Sequence, residues 1–324
     1  MPGESPDELL GQVRGGMLDA RRVLLSPDAA PGAADVTLEA LLEADPALGD
    51  LGARHWARIG AEPGTRIGAL DADQRYWTAD LLSFWQTAPA DVSQTVSPRD
   101  GMYSKTPDSY FGPGAVALRC VRLAMLETRT ERCESLLDFA CGYGRALRFF
   151  RAAFPGARLV ACDINTDAVD FCAEEFGAVP VYSHEDPAAI ELPGPFDAIW
   201  VGSLFTHVPE ERWLQLLDLL ASVLSDRGLL VFTVQGRNVR HQLLSGELSA
   251  WSLDDAGIEE IVRGYDERGY GYADWTDMSG YGTSLNRMSW VAKQIEERPG
   301  LRLVGYRETG WGRQDVVTCQ ATGK

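Results

Sequence analysis

LLDFACGYGRALRFF, residues 136–150, reads as a buried strand ending in an acid, then a glycine turn, then the start of a helix at about Arg145. Glycine admits left-handed backbone and lets a ligand lie against bare main chain. The amides at the start of the following helix suit a carboxylate or a phosphate. A second acid, Asp163, ends the next β-rich run in ARLVACDIN. A carboxylate at that position, beside the glycine turn, suits two ribose hydroxyls.

Outward from this stretch, short β-rich runs alternate with helical patterns. The strands expected are 135–140, 158–163, 179–183, 196–202 and 228–234. Helices are expected over 116–126, from Arg145, over 166–176 and over 209–224. Pro209 followed by Glu210 and Glu211 fits the first turn of a helix, by its fixed φ and by charge against the dipole. Crossovers long enough to hold a helix imply a parallel sheet with both faces covered. A helix over 288–298 precedes two last strands, 301–308 and 315–321. The short TGWGRQ link between these strands makes them an antiparallel pair. The expectation is an α/β, Rossmann-like, doubly wound and mostly parallel sheet, closed by that terminal antiparallel pair.

Residues 1–100 read as a helical appendage, with apolar residues at helical spacing over 6–25, 37–42 and 79–85, broken by Pro/Gly stretches. Residues 101–324 form the main domain. Within it, 236–285 reads as a lid-like insertion at the carboxyl edge of the sheet. Its Tyr265, Tyr270, Tyr272, Trp275 and Tyr281 are candidates to stack on a flat acceptor or to pack the lid itself. Tyr103, Tyr110 and Phe111 precede the core, as a second covering element or as packing.

The net charge of -17 argues against nucleic acid or an anionic membrane as the main partner, since both call for a basic footprint. No stretch is long and apolar enough to span a bilayer, and the start lacks a secretory signal. The default compartment is therefore the cytoplasm. Six cysteines form no C-x-x-C pair and have no His at zinc spacing, so no metal site is expected. With only three lysines, at 105, 293 and 324, the basic residues are almost all arginine, as in GC-rich bacterial coding.

LLDFACGYG is similar to the V-L-D-x-G-C-G-x-G wording of class I S-adenosylmethionine-dependent methyltransferases, with Ala140 in place of the first Gly. FDAIWVGSLFTHV (196–208) resembles the family's fourth strand, which leads to the reaction centre. DGMYSKTPDSYFGPGAVAL (100–118), VGSLFTHVPEERW and GWGRQDVV further resemble bacterial methyltransferases associated with glycans and natural products. The resemblance implies S-adenosylmethionine as cofactor, held by Asp138, Ala140, Cys141, Gly142, Tyr143, Gly144, Asp163, Ile164 and Ser203. Glu185 or Asp186, after the third strand, would lie near the adenine. It also implies methyl transfer to a small-molecule, glycan or peptide acceptor. The first choice is O-methylation of a sugar or a sugar-bearing natural product, ahead of a carboxylate or hydroxyl of a peptide or polyketide.

The competing dinucleotide-dependent oxidoreductase needs G-x-G-x-x-G/A, and Leu147 stands at the third position. A non-catalytic cofactor-binding module is the other alternative, and a homodimer stays open. His207 follows the fourth strand in GSLFTHVPEE, so it is the candidate general base. Tyr281 and Asp274 are the next candidates, and helix capping by His207 is the structural alternative.

Overall fold

The computed structural model describes residues 5–15, 23, 32–44, 64–70, 92–103, 107–130, 132–248 and 253–323. The chain divides into two compact units between Pro89 and Ala90. In the first, helix α1 (Pro6–Arg14) starts at a capping box. Ser5 Oγ accepts from Glu8 N, and Glu8 returns a carboxylate oxygen to Ser5 N. Leu9, Leu10 and Val13 of α1 are buried, as are Leu38 and Leu41 of a second short helix, α2 (Leu38–Ala44). The expected helix at 79–85 and the end of that at 6–25 lie outside the described residues.

The second unit opens with residues 92–103 and a long helix, α3 (Pro107–Thr128). Strands β1 (Ser135–Phe139), β2 (Arg158–Asp163), β3 (Val179–Tyr182), β4 (Phe196–Val201) and β5 (Leu224–Val234) follow. Between them run α4 (Leu147–Ala153), α5 (Thr166–Phe176) and α6 (Glu210–Ser222). Helix α4 begins two residues later than expected and has only seven residues. Strand β5 begins earlier than the apolar run at 228 suggests, with an irregular register between Phe196 and Ala198 on β4.

The final strands are β8 (Leu301–Trp311) and β9 (Gln314–Ala321), and the seven-stranded sheet runs β3-β2-β1-β4-β5-β9-β8. The first five strands are parallel, and β9 pairs antiparallel with both β5 and β8. The α/β, doubly wound sheet and its terminal antiparallel pair are as the sequence predicts.

Segment 236–285 is regular throughout most of its length. It holds α7 (Arg237–Ser245), α8 (Asp255–Arg268) and a two-stranded sheet of β6 (Tyr270–Trp275) and β7 (Met278–Asn286). Its core is Val239, Leu243, Ile261, Tyr265, Ala273 and Leu285. Helix α9 (Met288–Glu296) then leads into β8.

Alternation along the strands divides the core between the two faces of the sheet. Leu137, Phe139 and Ile199 pack with Trp213 of α6 and Trp290 of α9. Leu136, Ala198 and Trp200 pack with α3, α4 and α5. Burying a side chain of this size stabilises by roughly 1.5–3 kcal/mol, and Trp213 is fully buried. Strand order reverses direction between β1 and β4, and a ligand crevice belongs outside the carboxyl ends of strands at such a point.

Candidate active site

The loop after β1 holds three residues in left-handed backbone, Ala140 (φ 62°), Gly142 (φ 50°) and Gly144 (φ 75°). The amides of Ala140 and Cys141 both donate to the Cys162 carbonyl, at 2.8 and 3.1 Å. The loop is thereby tied to the end of β2. Asp163 reinforces the tie: its Oδ2 accepts from Gly142 N at 2.8 Å and its Oδ1 from Asn165 N at 2.9 Å. At Gly144 a side chain has no room, since a Cβ there would lie 2.4 Å from the Phe176 ring.

A cavity of about 980 Å³ opens at the carboxyl ends of β1, β2, β4 and β5. Asp138, Ala140, Cys141, Gly142, Tyr143, Asp163, Ile164, Glu185, Ser203, His207 and Tyr281 all line it. Three expected residues do not. Gly144 packs behind the loop against Cys172 and Phe176. Asp186 caps the short 3-10 turn Pro187–Ala189, accepting from Ala188 N at 3.0 Å. Asp274 accepts at one oxygen, Oδ1, from Tyr272 Oη and from Gly280 N. Among the described residues, no group of three or more His, Cys, Asp or Glu is placed to hold a metal ion.

Asp138 is 2% exposed, and its Oδ2 has no hydrogen-bond partner. Burial, and then repulsion from Asp163, pushes its carboxyl up to about 8. Arg145 lines the same cavity beside the glycine loop. Its guanidinium is half-buried, and burial lowers its pKa against the pull of Asp100 and Tyr110. No carboxylate pairs with it among the described residues. Asp100 is occupied by Met102 N and Tyr110 Oη instead. Tyr110 is fully buried, while Tyr103 is 46% exposed. Arg148 is buried as well, and donates to the carbonyls of Ser93 and Thr95, both at 2.9 Å. These bonds fasten residues 92–103 to the α/β unit.

His207 sits where β7 runs alongside the loop after β4. Gly282 N donates to the His207 carbonyl at 2.9 Å, and His207 Nδ1 lies 2.7 Å from the Gly282 carbonyl. A carbonyl only accepts, so Nδ1 carries the hydrogen and Nε2 keeps its lone pair. The imidazole stacks on Tyr281 at 4.9 Å and meets Trp275 edge-on at 5.2 Å. Burial lowers its pKa, with the Gly282 carbonyl opposing. The Tyr281 phenol is pushed up to about 12 by burial and by Asp163, which keeps it protonated at neutral pH in the free chain.

Ser203, at φ 67°, belongs to a closed ring of hydrogen bonds. Ser203 N donates to Thr233 Oγ1 at 2.8 Å, Thr233 Oγ1 donates to Gln314 Oε1 at 2.6 Å, and Gln314 Nε2 donates to Ser203 Oγ at 2.8 Å. Gln314, Trp311, Arg145 and Arg212 line the cavity without having been expected there. Arg145 had a signal, since it directly follows the second glycine of the turn. Arg212, in VPEERW, reads as an ordinary residue of an amphipathic helix.

Residues 137–230 match the family model described as a methyltransferase domain. The match covers less than a third of the chain. It spans β1 to β5 and with them the glycine loop, Asp163 and His207. No curated protein matches the chain. Solved structures similar to it include an S-adenosylmethionine-dependent methyltransferase from Clostridium acetobutylicum, at 13% identity and TM-score 0.46, covering 66% of this chain and 92% of that one. Others are DesVI of Streptomyces venezuelae, at 16% and 0.44, covering 67% and 99%, and an amino pentose methyltransferase from Micromonospora echinaspora involved in calicheamicin biosynthesis, at 14% and 0.44, covering 69% and 100%.

Proposed function

We propose that the chain transfers the methyl group of S-adenosylmethionine to a hydroxyl of a sugar or a sugar-bearing natural product, with His207 as the base. The observation that carries this is the convergence of the glycine loop, Asp138, Asp163 and His207 on one cavity at the switch point of the sheet.

The residues fit the cofactor. Its methionine end is a zwitterion, and the loop offers a carboxyl and a guanidinium to match it. Asp138 has a buried oxygen without a partner, and Arg145 makes no ion pair among the described residues. Asp138 would hold the ammonium and Arg145 the carboxylate. Asp163 ends β2, where it would accept from the ribose hydroxyls, and Ile164 and Glu185 would bound the adenine. Bound there, the cofactor supplies a methyl group on a sulfonium, already a good leaving group. What remains for the protein is orientation and removal of one proton. His207 Nε2 would take that proton, while the Nδ1 bond to Gly282 holds the ring. The β6–β7 hairpin, through Trp275, Met278 and Tyr281, would cover the acceptor as a lid.

Calorimetry tests the reading. S-adenosylmethionine and S-adenosylhomocysteine should bind at micromolar level, and NAD should not. Binding of NAD with no heat from either methionine derivative would overturn it.

A further inference from the structure

We propose that the acceptor is anionic, and that Arg212 holds its oxyanion, a carboxylate or a phosphate. This rests on the methyl-donor reading above and extends it to the substrate class.

Two arginines that line the cavity, Arg145 and Arg212, stand without a carboxylate partner among the described residues. A third, Arg99, is paired with Asp167 at 2.6 Å. A half-buried arginine that makes no ion pair has N–H donors to spare for an anionic ligand. In a chain with 47 acidic and 30 basic residues, leaving two such cations in one cavity is a distinctive use of charge. The methionine moiety brings a single carboxylate. Arg145, beside the glycine loop, accounts for it. Arg212 stands apart from that loop, in the first turn of α6, and its charge is left for the acceptor.

No carboxylate among the described residues forms an ion pair with Arg212. Glu210 faces Arg268 at 3.5 Å, and Glu211 is exposed. Asp274 accepts from Tyr272 Oη and Gly280 N. Arg212 itself spends one N–H on the Gly280 carbonyl at 2.9 Å, and a guanidinium has five. That bond also fixes where the charge stands relative to the base. Arg212 is moored to Gly280 and His207 to Gly282, two residues further along β7. Gly280 takes left-handed backbone (φ 74°) where the β6–β7 register shifts, so both side chains are held by the same irregular end of the hairpin. The acceptor would lie between them, with its oxyanion at Arg212 and a hydroxyl at His207. Trp275 and Tyr281, edge to face at 5.1 Å, offer the apolar wall for the ring between.

The test uses the chain saturated with S-adenosylhomocysteine, which also fills the Arg145 position. At constant ionic strength, D-glucuronate, D-glucose 6-phosphate and D-glucose are titrated by calorimetry. At least one anion should bind ten or more times tighter than glucose, and which one does separates carboxylate from phosphate. Arg212→Gln should remove that preference, Arg212→Lys should restore part of it, and S-adenosylhomocysteine affinity should stay within about twofold. A role confined to holding Gly280 would weaken all three sugars alike. Equal binding of charged and neutral sugars, no binding by any, or a preference that survives Arg212→Gln would each overturn the proposal. Failure of S-adenosylhomocysteine to bind the unaltered chain would strike the methyl-donor reading instead.

Discussion

Asp138→Asn removes the charge of this carboxyl and keeps its shape. In the folded, ligand-free chain the group titrates near 8 rather than 3.8, mainly because it is buried and then because Asp163 is close. The unfolded chain releases the proton near the ordinary value, so between these limits the folded state binds more protons. Stability contributed by the neutral carboxyl is therefore complete below about pH 4 and is lost as pH rises towards 8. Each unit of the interval is worth about 1.4 kcal/mol, and the whole of it roughly 5–6 kcal/mol. The assay is urea denaturation of both proteins at pH 5, 6, 7 and 8. The stability difference, Asn variant minus native, should grow by about 1.4 kcal/mol per unit and level off above 8. A second readout comes from calorimetry in buffers of different ionisation enthalpy. At pH 7 a group with a pKa near 8 is about nine-tenths protonated, so an ammonium that fixes it ionised should expel close to one proton. Parallel stability curves from pH 5 to pH 8, with no proton released on binding S-adenosylmethionine, would refute the account of Asp138.

Asp163→Ala should weaken S-adenosylmethionine binding by roughly 1.5–3 kcal/mol, the usual loss for hydrogen bonds to a charged group. Unchanged affinity in a folded variant would remove the ribose assignment. His207→Gln should lower turnover about 100-fold or more with cofactor affinity nearly intact. Because burial lowers the imidazole pKa and the neutral form acts, native kcat/KM should rise with pH through an inflection below 6.5. Persistence of that inflection in the glutamine variant would exclude His207 as its source.

The central sheet was legible because each of its strands announces itself locally. LLDFA, RLVACD and FDAIWV are apolar runs bounded by turns, and the crossovers have helical length. What local pattern does not carry is the insertion of β9 between β5 and β8, which depends on pairings some 85 residues apart, such as Thr233 with Val316. The glycine loop was legible for a related reason, since its constraints lie within a few residues of one another. Ala140 is instructive here. Its left-handed backbone costs roughly 1–2 kcal/mol for an L-residue, which explains why glycine is the usual occupant and shows that the loop geometry persists without it.

The far side of the cavity was less visible. Nothing in sequence announced the phenol and the amide that bond to Asp274 Oδ1. Arg212 looked solvated, yet β7 folds against it. His207 was found by its position after β4, but the carbonyl that fixes its tautomer lies 75 residues away. Segment 236–285 showed no strong pattern because its strands are rich in Gly, Tyr and Asp, residues that also suit loops. Its hairpin is held by contacts with the loop after β4.

The ring formed by Ser203, Thr233 and Gln314 has a direction. Following its hydrogens, the Ser203 amide feeds the Thr233 oxygen, the Thr233 hydroxyl feeds the glutamine carbonyl, and the glutamine amide returns to the Ser203 oxygen. The Ser203 hydroxyl hydrogen takes no part in the circuit, while its oxygen accepts from Gln314. Ser203 lines the cavity, so the circuit leaves that proton for whatever lies against it. Three side chains, from the loop after β4, from β5 and from β9, thus set the polarity of one spot in the pocket wall. A group bound there meets a hydroxyl donor, which suits a lone pair such as that of the ring oxygen or a hydroxyl of a sugar.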